Sequence, residues 1–322
     1  MNKLFKVIWS KSKQCYIVVS EVAKNTTGKK KIVVASVLAA LTVGTQVATV
    51  EAAIQEGSAS NGAVLSLVNT ATARGTSAVA IGSEANASTT NALAVGTSTI
   101  SSGDGSVAVG SGSKATGASA VAVGAGAYAK EHGAVALGNN VNVETNKAVG
   151  VGFALTVRQA GATNIGYYST VNANQALSVG ARNDVDSAAQ YGTAVGYFTK
   201  VTGKNGVAIG SSNDNNGNSD TGRTLASADS AVAIGTSAHA EAIHSIGLGT
   251  RAKASAENAT SIGTSSSASG VQSIAIGSAM RAAEAPNASG EKSIAIGTST
   301  SANSATALAM GSSATASGVA AA

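Results

Sequence analysis

Glycines recur on a 14-residue grid through most of this 322-residue chain, and the residues beside each glycine recur with them. Sixteen units between residues 79 and 311 place a small residue, an aliphatic residue and then a glycine. The first eight glycines, from Gly82, Gly96 and Gly110 through to Gly180, are spaced by 14 without exception. A fixed short period means one supersecondary unit stacked many times, so function is to be sought in an array and not in a single pocket.

Counting each glycine as position 0, position −1 is aliphatic in all sixteen units and position −3 in thirteen, the exceptions being Thr163, Thr193 and Thr260. Position −4 is always Ala, Ser or Gly, and so is −2 apart from Asn164. Alternation of bulky and tiny residues with period 2 is the signature of a strand. Positions +3 and +5 carry small or apolar residues such as Ala85 and Ala87, with polar residues such as Asn86 at +4. Two short strands and two turns fill 14 residues, which predicts an all-β, flattened parallel β-solenoid. Coils stacked at roughly 4.8 Å make a rod on the order of 75 Å long. The −1 and −3 aliphatics are expected inside each coil, opposite the small +3 and +5 residues. The −4 and −2 face would then be a flat outer wall suited to close packing between chains, giving an oligomer.

Residues 1–53 differ. Lys3, Lys6, Lys11 and Lys13 surround apolar residues, Lys29–Lys31 follow, and an apolar run extends from Ile32 to Val43. That run has the length of a signal-peptide core and is too short to span a bilayer. Cleavage after Ala52 would remove eight of the 21 basic residues and two of the 16 acidic ones, leaving 13 basic against 14 acidic. The basic pI therefore belongs to the leader, and nucleic acid is not expected as a partner. Cys15 and Trp9 leave with it, so the mature chain has no thiol or disulfide.

Two sets of residues carry a family resemblance. The opening Met1-Asn2-Lys3, Val7-Ile8-Trp9, Lys11 to Cys15 and Val18 to Glu21 resembles the extended signal peptide region of Gram-negative autotransporters. Repeats such as Val79-Ala80-Ile81-Gly82 and Ile274-Ala275-Ile276-Gly277 are similar to the head of the YadA-like trimeric autotransporter adhesins. The resemblance implies a left-handed parallel β-roll, a homotrimer and type V secretion. It also implies a cell-surface adhesin that attaches the bacterium to host matrix protein, host cells, glycan or other bacteria. The organisation it implies is an extended signal peptide over 1–52, an N-terminal cap segment over 53–74 and head repeats over 75–322. The family continues into a stalk and a C-terminal outer-membrane anchor. No heptads or closing amphipathic strands appear here and the grid stops inside a strand, so a truncated chain is expected.

The grid is interrupted by two extra residues between Gly180 and Gly196, eleven between Gly210 and Gly235 and six between Gly277 and Gly297. Solenoid insertions emerge as loops from a fixed edge. The stretch Asp214–Asp220 is rich in oxygen ligands, but an EF-hand loop would need glycine and glutamate where Ser219 and Leu225 stand, and no metal site is expected. Of seven aromatics in the mature chain, six lie between 153 and 198. Phe153, Tyr167, Tyr168, Tyr197 and Phe198 occupy positions +1 or +2, with Arg182 at an equivalent +2, and should line one edge. With Tyr191 they form the candidate binding surface, since aromatics and arginine dominate contact surfaces. The alternative is local turn packing or burial against a neighbouring chain.

No enzyme or cofactor is expected. His132, His239 and His244 are isolated, and no nucleophile stands in a recognisable elbow. Isolated Thr-x-Thr coils such as Thr97–Thr99 do not form an ice-binding ladder, and a 14-residue period removes the six-residue β-helix of acyltransferases. The competing function is a non-adhesive structural spacer, which predicts a featureless surface.

Overall fold

The computed structural model describes residues 5–10, 15–20, 63–65, 71–213 and 222–318. Two units are distinguished, Met1–Thr49 and Val50–Ala322. In the first, strands Phe5–Ser10 and Cys15–Ser20 pair antiparallel with Phe5 opposite Ser20. The apolar run 32–43 and the Asp214–Asp220 stretch lie outside the described residues.

The second unit is a parallel β-solenoid. Each coil contributes a first strand around positions −3 to −1, such as Val107–Val109, and a two-residue second strand at +4 and +5, such as Lys114–Ala115. First strands pair only with first strands and second strands with second strands. Val121 sits on Val107 below and Val135 above. The described residues contain seventeen strands of each kind. One first strand, Ala63–Leu65, pairs with Val79–Ile81 and lies within the segment read as a cap. A 3-10 turn lies at Ala282–Glu284.

The core corrects the expected facing. Ala78 and Ala80, at −4 and −2, are fully buried, as are Ala120, Ala122, Ala134 and Ala136. They meet the +3 and +5 residues of the second strands (Ala85, Ala87, Ala127, Ala129, Val141, Val143), which were expected inside and are. The −1 and −3 aliphatics point outward, and none of the described ones is buried in the single chain. The reason is thickness. The two sheets of a coil are joined by links of only four and five residues, 82–85 and 88–92 in the first full coil, and the slot between them holds roughly one small side chain from each sheet. Beside Val141 and Val143 the first strand gives way to glycine: a Cβ on Gly150 would come within 2.7 Å of Val141 Cγ1 and 3.0 Å of Val143 Cγ2.

The glycine at position 0 meets two demands. Gly110 has φ +124°, and a Cβ there would come within 2.7 Å of the carbonyl of Gly124 in the next coil. The chain thus turns where only glycine fits both the conformation and the stacking distance.

All three insertions leave the ladder in register: Leu177 pairs with Thr193, Val207 with Val232 and Ile274 with Ile294. They do not share one edge. The second and third follow the position 0 glycine, whereas the first widens the opposite turn, where Ala189 N–H donates to Asp186 O.

Candidate functional site

Three surfaces of the solenoid carry chemistry. The first is the outward face of the first sheet. Its −3 and −1 columns form a continuous aliphatic stripe running the length of the rod, with Val123 37%, Ile165 41% and Leu248 40% exposed. Soluble monomers rarely expose contiguous apolar patches beyond a few hundred Å². A stripe of this length is far larger than a soluble monomer ordinarily leaves in water.

The second surface is the edge that follows the glycines. From Val135 to Ser211 the first strands lengthen to five residues and take position +1 into the ladder, so Phe153 pairs with Tyr167 and Ala181 with Tyr197. Alternation puts +1 on the same side as −1 and −3, which makes the aromatics a continuation of the apolar stripe. Phe153 and Tyr167 stack with centroids 5.7 Å apart and planes inclined 21°. Tyr168 closes edge-on against both, at 5.6 and 4.4 Å. Two coils further, Tyr197 and Phe198 meet edge-on at 4.7 Å, and the guanidiniums of Arg182 and Arg223 lie 5.2 and 5.6 Å from the Phe198 ring. Such contacts each contribute about 0.5–2 kcal/mol.

Six of the seven candidate residues therefore lie on one edge, in two groups: Phe153, Tyr167 and Tyr168, then Arg182, Tyr197 and Phe198. Phe198 is not a contact residue in waiting. It is 7% exposed between the two arginines. Arg223, which the sequence reading omitted, reaches the ring because the eleven-residue insertion ends one step before the next second strand. Tyr191 stands apart from the others. It occupies position −5, on the opposite edge, and is 52% exposed.

The third surface is the solvent face of the second sheet near the last insertion. Residues 282–287 overhang it and enclose a cleft of about 580 Å³ that Arg251, Lys253, Ser267 and Ser301 help to line. Beside it lies a charged cluster: Glu241 accepts from His239 Nδ1 at 3.0 Å and from Lys253 Nζ at 3.2 Å. Burial pushes the Glu241 carboxyl up, but hydrogen bonds from His239 and Lys253 and the Lys253 charge outweigh it, and its pKa falls below 4.5. The three histidines do not converge: His239 is buried beside Glu241, while His132 and His244 stand exposed on different coils of the −6 and −5 turns.

A repetitive parallel solenoid with one uncovered apolar face and side chains displayed at its turns is the architecture of a surface-display rod. Two family descriptions match the chain. The "Extended Signal Peptide of Type V secretion system" covers residues 1–50. The "YadA head domain repeat" matches nine overlapping segments within 73–140, 188–213, 226–279 and 288–314. With the head repeat over more than half its length, the chain belongs to the trimeric autotransporter adhesins, exported by type V secretion to the cell surface. No curated protein matches it.

Proposed function

We propose that this chain is the adhesive head of a homotrimer in which the −1 and −3 columns form the contacts between subunits and the aromatic edge around Tyr167 and Tyr168 contacts host matrix, host cells or other bacteria. The observation that carries it is the concentration of exposed rings on an otherwise Ala-, Ser- and Gly-dominated rod: Tyr167 and Tyr168 are 45% and 51% exposed on adjacent positions. Coils repeat the contact every roughly 4.8 Å and a trimer presents it three times, so weak contacts combine by avidity, about 10²–10⁴-fold. A featureless spacer would not need this edge.

Tyr167→Ala combined with Tyr168→Ala tests the reading. Adhesion to immobilised matrix protein is expected to fall while trimer melting stays within a few degrees of wild type. A second reading is favoured by one observation, that +1 residues share the side of the aliphatic stripe. It makes the rings inter-subunit packing, and the same double variant then lowers trimer melting.

A further inference from the structure

The edge opposite the aromatics carries a feature that the adhesin reading does not use. Positions −6 and −5 form two side-by-side columns along this edge. Over four consecutive coils they read Asn146-Lys147, Ala160-Gly161, Asn174-Gln175 and Gln190-Tyr191. The pair Ala160-Gly161 has almost no side chain, and the coils on either side do. The result is a notch of about 350 Å³ whose floor is Gly161 and whose walls are three carboxamide-bearing coils, Lys147 and the ring of Tyr191.

The polar side chains of the notch are unspent. The main chain of this edge is satisfied by the stacking itself: Gly161 N–H donates to Asn146 O, Gln175 N–H to Ala160 O and Tyr191 N–H to Asn174 O. The side-chain amides of Asn146, Asn174, Gln175 and Gln190, the Tyr191 hydroxyl and the Lys147 ammonium make no hydrogen bond or ion pair among the described residues. All six are exposed. Elsewhere on the rod, polar side chains of neighbouring coils do bond each other, as Arg158 with Asn172 at 3.0 Å and Ser289 with Asn303 at 3.1 Å. This edge is mostly polar, with Asp104, Asp229, Glu257 and Lys204 in the same columns and Ile243 and Val271 as exposed apolar exceptions away from the notch, and it stands apart from the apolar stripe.

We propose that the notch is a binding subsite for a neutral saccharide, resting on the reading of the chain as an adhesin but separate from the aromatic edge. A carboxamide is donor and acceptor at once, which matches a pyranose hydroxyl, itself both. Four carboxamides spaced along three coil steps, roughly 14 Å, suit a chain of several sugar units. The Tyr191 ring is a flat, rigid face for the C–H side of a pyranose, and its hydroxyl is a further partner. Lys147 is the single charge in the lining, too little to select an acidic sugar. A peptide is disfavoured because the notch has no apolar pocket for a side chain and no free strand edge.

The test exploits the turn itself. Position −5 takes positive φ, +66° at Gly161 and +62° at Tyr191. Asn91, Asn205 and Asn258 and Ser77, Ser119 and Ser230 adopt the same conformation at the same position. Gly161→Asn therefore fills the floor, and Tyr191→Ser removes the ring, each with a residue the turn already accepts. Purified full-length trimer and both variants are applied to an array of neutral and acidic oligosaccharides together with collagen peptides, and thermal unfolding is recorded alongside. The expected result is retention of neutral oligosaccharides by wild type, at least tenfold weaker in both variants, with unfolding unchanged. Wild-type trimer that retains only acidic sugars or only peptides, or variants that bind neutral sugars as wild type does, overturn the proposal. If matrix adhesion persists in that case, the adhesin reading stands without the subsite. If no surface of any kind is bound, the adhesin reading itself fails. Should Gly161→Asn unfold, Tyr191→Ser alone decides.

Discussion

The inverted facing of the first strand gives two adjacent positions opposite fates, and the pair can be tested in one experiment. Ala122 is fully buried among Ala115, Ala127 and Ala129, in a slot that leaves no room for a Cβ at Gly150 beside Val141. Leucine there adds three carbons with no void to receive them, and overpacking costs about 1–3 kcal/mol per site, more where the backbone cannot shift. Ala108→Leu with Ala122→Leu puts two such side chains on stacked coils, where they also meet each other. The protomer itself should fail: loss of the β signal in circular dichroism, and no folded species of any size. Val123, the next residue, is 37% exposed in the single chain. Covering that remainder removes about 60 Å² of apolar surface, or about 1.5 kcal/mol per side chain at 25 cal/mol/Å². Val109→Asp with Val123→Asp forfeits about 3 kcal/mol per chain before any cost of burying carboxylates. At 1.4 kcal/mol per decade this weakens the hold on each subunit about 100-fold. The coil interior is untouched. Native mass measurement should therefore find dissociated chains at micromolar concentration that keep their β signal. A folded monomer from the leucine pair, or an intact trimer from the aspartate pair at the wild-type dissociation midpoint, would refute the assignment of faces.

Three further outcomes follow from particular contacts. Gly150→Ala should destabilise the solenoid by about 1–3 kcal/mol, and Val141→Ala by roughly 2 kcal/mol. Because the added methyl points at the removed ones, the double variant should fall short of the sum by about 0.5–3 kcal/mol in denaturant titration, and strict additivity would contradict the size matching. Glu241 has a lowered folded-state pKa, so its contribution is present above its unfolded value and is lost as pH falls through the folded one, below 4.5. Melting temperature recorded from pH 6 to pH 3 should therefore decline less in Glu241→Gln than in wild type, and parallel curves would show that the cluster does not act. Exported material should begin near Ala53 and fail to react with thiol reagents, as mass spectrometry can check; an exported chain retaining Cys15 would contradict cleavage.

The coil was legible because its constraint is local: the alternation around Val107-Ala108-Val109-Gly110 gives strand and turn without reference to anything distant. The facing was not. Bulky residues inside and small ones outside is the expectation for a chain that folds alone, and Val109, half-buried and facing outward in the single chain, does not follow it. The signal that decides it was present in Ala85 and Ala87: two small columns face two small columns only if the sheets are close, and then Ile81 has no room between them. The aromatic edge was half legible. Position +1 and +2 counting placed Phe153, Tyr167 and Tyr168 together, but it could not show that Arg182 and Arg223 cover Phe198, because Arg223 arrives through an insertion whose path the period does not specify. Tyr191 was grouped with the others by residue type; reading its column, −5, separates it from them and sets it beside Gln175 and Gly161.

The same columns explain how one scaffold accommodates a binding surface without refolding. At position 0 each of the sixteen units has glycine, because the conformation and the 2.7 Å approach at Gly110 both forbid a side chain. At −5 and +2 the backbone is also left-handed, a conformation that costs a non-glycine residue roughly 1 kcal/mol or more, yet twenty-five described non-glycine residues adopt it. What holds them there is independent of the side chain: the N–H of the left-handed residue donates to the preceding coil, as Arg182 to Tyr167 O at 2.8 Å and Asn205 to Gln190 O at 2.8 Å. Serine, asparagine, lysine, glutamine, tyrosine, histidine and arginine all occupy these turns, with their side chains directed away from the slot. Glycine columns set the register, alanine columns set the thickness and aliphatic columns form the subunit contacts in the trimer proposed above, so none of those can change without cost. The turn columns carry none of these duties, and a ligand contact written there, on either edge, leaves the rod beneath it as it was.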